Sequence, residues 1–183
     1  MDDPVFEYVR SAFAPGTLVV PPRERVEPLA IPERSKRYLL EVGLPAGPLP
    51  FGNKLNTVST LPTLAELYPE RRDTLDRSWE KARFLSHVND TGIYLDEGDA
   101  GTVWQIDLLG GGNATFGNSS VEQFGHFLAI LNRPDPAWEK SPPELRRQML
   151  AAVRGELRRA DPAALAGDNC YWAFALEDAS YYL

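Results

Sequence analysis

The chain has 183 residues with a net charge of −7, a length that supports one core burying roughly 70% of the unfolded surface. The negative charge disfavours nucleic-acid backbones and anionic membrane surfaces as partners and favours basic proteins. A single cysteine, Cys170, excludes an internal disulfide, and the lack of an 18-residue apolar run or a signal-like N-terminus predicts a cytoplasmic protein.

Pro4, Pro15, Pro21, Pro22 and Pro28 punctuate residues 1–30. They predict an extended segment with one short strand near Thr17-Leu18-Val19-Val20, packing on a domain formed by residues 31–183. The first predicted helix runs from Pro32 to Val42. Pro32 preorganises its first turn, Ser35, Leu39 and Val42 share a face, and Gly43 supplies a left-handed stop. From Pro45 to Arg83 only Leu61, Leu64, Leu67 and Tyr68 give a helical period, so a long, variable recognition loop is expected there.

From Ala82 the period becomes that of strands. Ala82 to Val88, Ile93 to Asp96 and Thr102 to Asp107 are separated by Asn89-Asp90-Thr91-Gly92 and Glu97-Gly98-Asp99-Ala100-Gly101, which predicts an antiparallel meander. In the last of these strands Trp104 and Ile106 point one way and Val103, Gln105 and Asp107 the other, so one face is expected to be wetter. Gly110-Gly111-Gly112-Asn113 then turns the chain into Ala114 to Phe116.

A helix follows, with Ser119 and Glu122, or Ser120 and Gln123, as alternative capping boxes. Its stripe of Val121, Phe124, Phe127, Leu128 and Leu131 is expected to anchor the core, since each large apolar side chain contributes about 1.5–3 kcal/mol on burial. Another helix is expected from Ser141, with Pro142 in its first turn, Glu144 closing a capping box, and Leu145, Met149, Ala152, Val153 and Leu157 as its stripe. The tail from Cys170 to Leu176 fits a helix or a strand, and helix is favoured.

Little here points to catalysis. His87 and His126 lack metal-ligand spacing, Cys170 has acidic and amide neighbours rather than a base, and the triple glycine lacks the GK[ST] ending of a phosphate loop. No metal and no cofactor is expected. Charge is distributed more tellingly. Between Phe84 and Asn132 there is no lysine or arginine, whereas Asp90, Asp96, Glu97, Asp99, Asp107 and Glu122 all lie there. The remaining 20 acids nearly balance the 19 basic residues. These six are either solvated turn carboxylates or an acidic face for a basic partner, and both can hold.

Tyr38-Leu39-Leu40-Glu41-Val42-Gly43-Leu44-Pro45 ends the first predicted helix, and Ile93-Tyr94-Leu95-Asp96 and Gly101-Thr102-Val103-Trp104 lie at two of the predicted strands. In that order they resemble the opening helix end and the strands of the fourth subfamily of the SUKH superfamily of bacterial immunity proteins. Asn118-Ser119-Ser120-Val121-Glu122-Gln123-Phe124 looks like its strand-to-helix junction, and Trp172 with Leu176-Glu177-Asp178 suits its tail. His87-Val88 departs from the isoleucine-glycine step after the first core strand. The resemblance implies one α+β domain with a mixed, mostly antiparallel sheet flanked by helices, and no catalytic residues. It also implies neutralisation of a toxin, commonly a nuclease or nucleic-acid deaminase, by direct binding. With the charge pattern, it selects Asp96, Glu97, Asp99, Gln105 and Asp107 as partner-binding residues facing a toxin with a basic surface. A regulatory scaffold without a toxin shares these features. A small hydrolase with a polar cleft is the third alternative.

Overall fold

The computed structural model describes residues 3–48, 54–69, 79, 81–88, 91–107, 113–133, 141–167 and 170–181, with side chains as far as Leu176. The first helix, α1 (Pro4–Ala12), stands where an extended segment was expected. Asp3 caps it by accepting from the Val5 N–H at 3.0 Å, Pro4 occupies its first turn, and Phe6 and Val9 enter the core. A side-chain cap, a first-turn proline and an i,i+3 apolar pair suffice for two turns once a core receives them. The other prolines of the segment lie beyond the helix.

Next come β1 (Leu18–Val19), α2 (Arg23–Val26) and α3 (Glu33–Glu41), and then β2 (Leu44–Pro45), which pairs with β1. Gly43 turns the chain with φ +79°, and a Cβ there would lie 2.4 Å from the Val19 carbonyl oxygen. Only glycine meets both demands.

Among the described residues the main sheet has six strands: β3 (Gly47–Pro48), β4 (Lys54–Leu55), β5 (Ala82–Val88), β6 (Thr91–Asp96), β7 (Thr102–Asp107) and β8 (Asn113–Asn118). They lie in sequence order, and every neighbouring pair is antiparallel. The expected α+β class holds, with all of the observed pairing antiparallel. The tips Asn89-Asp90 and Gly110-Gly111-Gly112 lie outside the described residues. The remaining helices are α4 (Leu64–Leu67), α5 (Val121–Leu131), α6 (Pro143–Ala160) and α7 (Tyr171–Tyr181). The tail is therefore helical.

Both faces of the sheet are covered. Leu85, Ile93, Leu95 and Val103 join Phe6, Tyr38, Phe124, Phe127 and Trp172 in the large core. Ala82, Phe84, Tyr94 and Ile106 form a second core with Leu64, against which Val58, Tyr68, Trp79 and Trp104 pack. Residues 54–69, part of the Pro45–Arg83 stretch expected as a long, variable recognition loop, are thus packed into the domain: Leu55 and Leu61 enter the large core and Leu64 the second. Their short helix α4 is closed by a capping box in which Thr63 and Glu66 bond reciprocally, and Leu55, Leu61 and Leu64 are fully buried. The expected wet face is correspondingly reduced. Trp104 and Ile106 share the second core, and the opposite side of β7 dries only at Val103.

Helix α5 starts as expected at Ser120, whose Oγ accepts from the Gln123 N–H and donates to Gln123 Oε1. The alternative pairing of Ser119 with Glu122 does not form. Glu122 instead accepts from Ser35 Oγ at 2.9 Å and lies 3.9 Å from Arg34, which also binds Asp3 at 2.9 Å. This chain of polar contacts ties α1, α3 and α5 together. Helix α6 departs further from expectation. Its N-cap is Pro142, one residue later than the expected start at Ser141. Leu157 is buried and Leu150, Val153 and Ala160 pack on the core, whereas Leu145 and Ala152 are exposed. Its packed stripe is therefore rotated from the expected one.

The Arg34 guanidinium holds the Asp3 carboxyl below its usual range. A carboxyl lowered on folding stabilises above its unfolded pKa and loses that contribution as pH falls through the folded value. Asp3→Asn should therefore flatten the acid limb of the stability curve. Urea midpoints at neutral and acidic pH check this, and equal acid sensitivity in both chains would contradict it.

Candidate protein-binding surface

The five acidic and amide residues picked out by the sequence fall at two ends of the meander. At the β6–β7 turn, Asp96 Oδ1 accepts from the Gly98 N–H at 2.7 Å and so caps a 3-10 turn over Glu97–Asp99. Ala100 and Gly101 then close it with φ +49° and +82°. Asp99 is exposed and accepts from Thr102 Oγ1 at 3.1 Å, while the same Thr102 oxygen accepts from the Trp104 indole N–H at 2.9 Å.

Glu97 behaves differently. Its side chain is only 8% exposed, because Oε1 pairs with Arg83 Nε at 2.5 Å and Oε2 accepts from the Ala30 N–H at 2.9 Å. One carboxylate thereby links β5, the β6–β7 turn and the chain before α3. Asp99 is the outward carboxylate of the turn, and Glu97 its inward one.

Gln105 and Asp107 occupy the far half of β7, opposite Ile93 and Thr115, and Asn113, respectively. At a rise of about 3.4 Å per residue, Asp107 lies roughly 17 Å along the strand from Thr102. Both are half-buried. The turn acids and this pair therefore flank the strand without meeting in one cluster. They share a meander whose strands β6, β7 and β8 carry no lysine or arginine and whose charged side chains are Asp96 and Asp107 alone.

The remaining chemistry-bearing side chains are engaged in packing. His87 bonds Asn56 at 3.0 Å and stacks near Phe84. His126 stands edge-on to Tyr8 at 5.1 Å, and burial pushes its pKa down. Cys170 is buried with its Sγ 3.0 Å from the Gly167 carbonyl oxygen. Among the described residues no group of three or more His, Cys, Asp or Glu side chains could hold a metal ion. None of the described helices is long and apolar enough to cross a membrane.

Sequence reasoning missed two features. Arg83 is the internal partner of Glu97, and only its position just before the acid-only stretch hinted at it. Asp161, the C-cap of α6, is a buried carboxylate receiving Asn118 Nδ2, the Ser119 N–H and Ser119 Oγ. These contacts explain why Asn118-Ser119 sits at the strand-to-helix junction.

The fold and the surface define an antiparallel α+β domain with a stretch of acids free of lysine and arginine along its meander. The sequence pattern of the SUKH-4 immunity protein family matches residues 6–178, and the chain belongs to that family. Its general role is that of an immunity protein. Searches of curated proteins and of solved structures returned no match.

Proposed function

We propose that this chain neutralises a cognate bacterial toxin by binding it directly in the cytoplasm, without catalysis of its own. The toxin is a nuclease or nucleic-acid deaminase, and the bound region is the basic surface with which it grips nucleic acid. The observation that carries this reading is the exclusion of every lysine and arginine from Phe84 to Asn132, the stretch that forms most of the meander. An inhibitor with a one-signed surface gains chiefly in association rate, and that gain is screened by salt.

Asp99, Gln105 and Asp107 are the contact residues in this reading, with Asp96 and Glu97 shaping the turn that presents Asp99. The test uses the toxin domain encoded beside the chain's own gene. Co-expression should protect cells from that toxin, and the two proteins should copurify. Asp99→Lys combined with Gln105→Lys should slow association about tenfold at low salt with little change in melting temperature. An unchanged association rate at low salt would count against the acidic contact surface.

A further inference from the structure

We propose that the toxin contributes an extended, basic strand to the open edge of the sheet at β8; this rests on the toxin-binding reading and specifies its geometry. The two edges of the sheet differ. The β3 edge has two residues, one of them Pro48, which has no N–H to offer. Short length and proline are both devices that blunt an edge. The β8 edge runs for six residues, Asn113 to Asn118, with neither charge nor proline.

Part of this edge is occupied from within. Gly117 and Asn118 are buried, and Asn118 accepts from the Trp172 indole N–H at 2.8 Å. Ala114, in contrast, is exposed, and Thr115 and Phe116 are half-buried. In an antiparallel strand, backbone N–H and C=O groups alternate between the neighbour and the outside. Strand β7 takes the inward set. Among the described residues no hydrogen bond reaches the Ala114–Phe116 backbone from the other side. An extended chain satisfies such a row in full, which is the chemistry of strand addition.

Charge then selects the occupant. Two copies joined edge to edge at β8 would bring side by side two sets of strands β6–β8 that carry acids and no lysine or arginine, and such like-signed surfaces repel. A strand bearing lysine or arginine meets no basic residue on β8 or β7, where the one charged side chain is Asp107. Phe116, edge-on to Trp104 at 5.4 Å, offers such a strand an aromatic cross-strand neighbour.

The test uses the full chain and the toxin domain encoded beside its gene, with wild-type binding measured first. Ala114→Pro and Thr115→Pro are then compared, because adjacent N–H groups point to opposite sides and one of the two leaves the β7 ladder intact. The variant that keeps the wild-type melting temperature should bind at least tenfold more weakly. In the wild-type complex, amide exchange within Ala114–Phe116 should slow at least tenfold relative to the free chain. Wild-type affinity in that proline variant, or unchanged exchange in a formed complex, would overturn the edge geometry while leaving toxin binding intact. A toxin-free dimer that protects the same amides would overturn it in favour of a second copy. A wild-type chain that does not bind its neighbour's toxin fails at the earlier step, and both readings fall.

Discussion

Asp161→Ala is expected to cost about 3–5 kcal/mol of folding stability, far more than an ordinary surface substitution. Asp161 is 1% exposed and accepts from Asn118 Nδ2 at 3.2 Å, the Ser119 N–H at 2.8 Å and Ser119 Oγ at 2.9 Å. Hydrogen bonds to an ionised acceptor are the stronger kind, and each buried donor left without an acceptor costs about 1–3 kcal/mol. The damage spreads because Asn118 also receives Trp172, and Gln123 Nε2 donates to the neighbouring Ala160 carbonyl. One side chain thus joins the end of β8, the start of α5, the end of α6 and the first turn of α7. Asp161→Asn should lose less, since an amide keeps one acceptor oxygen. Urea unfolding with an unchanged m-value measures both, and a loss below about 1 kcal/mol for the alanine variant would show that water replaces the carboxylate. The same node closes the inner end of β8, so a surviving Asp161→Ala chain should also exchange the Asn118 amide faster.

The meander was legible because two short-range signals agree there: alternation within each strand and turn residues between them. Ala82–Val88 and Thr102–Asp107 have the bounds the sequence predicts. Helix α5 was legible for the same reason, a cap followed by an apolar stripe. Helix α1 carries the matching signals in Asp3, Pro4, Phe6 and Val9, but the prolines downstream masked them. Residues 54–69 were illegible for a different reason. Leu55 and Leu61 join the large core while Leu64, Val58 and Tyr68 pack in the second, and nothing local says which face of the sheet receives which side chain. The rotated stripe of α6 follows the same logic, since local spacing groups Leu145 with Val153 but cannot say which end of the helix meets the core. For the surface, composition along the chain exposed the charge bias. It could not separate Asp99 from Glu97, because Glu97 is drawn inward by Arg83, 14 residues away, and by the Ala30 N–H, 67 residues away.

Gly125→Ala should destabilise the chain by about 3 kcal/mol or more, against the direction helix propensity alone predicts. Within α5, alanine would otherwise gain about 1 kcal/mol over glycine, so the sign of the result separates packing from propensity. A Cβ on Gly125 would lie 1.7 Å from the Tyr38 hydroxyl and 2.6 Å from the ring carbon that bears it. Tyr38 cannot swing aside cheaply, being fully buried on α3 with Phe6 edge-on to its ring at 5.4 Å. Its hydroxyl finds no hydrogen-bond partner among the described residues. Tyr38→Phe removes that oxygen and should be neutral or stabilising, within about 1 kcal/mol. In the double variant the closest clash is gone while the ring contact persists, so the loss should be smaller than the two single effects added, by about 1 kcal/mol or more. Thermal or urea unfolding of the four chains closes the cycle, and strict additivity would show that Gly125 is needed for something other than Tyr38. The coupling also governs the polar bridge one turn earlier. If α5 moves away from α3 to relieve the clash, Ser35 and Glu122 separate, and Glu122 is left as a buried carboxylate stripped of its closest donor.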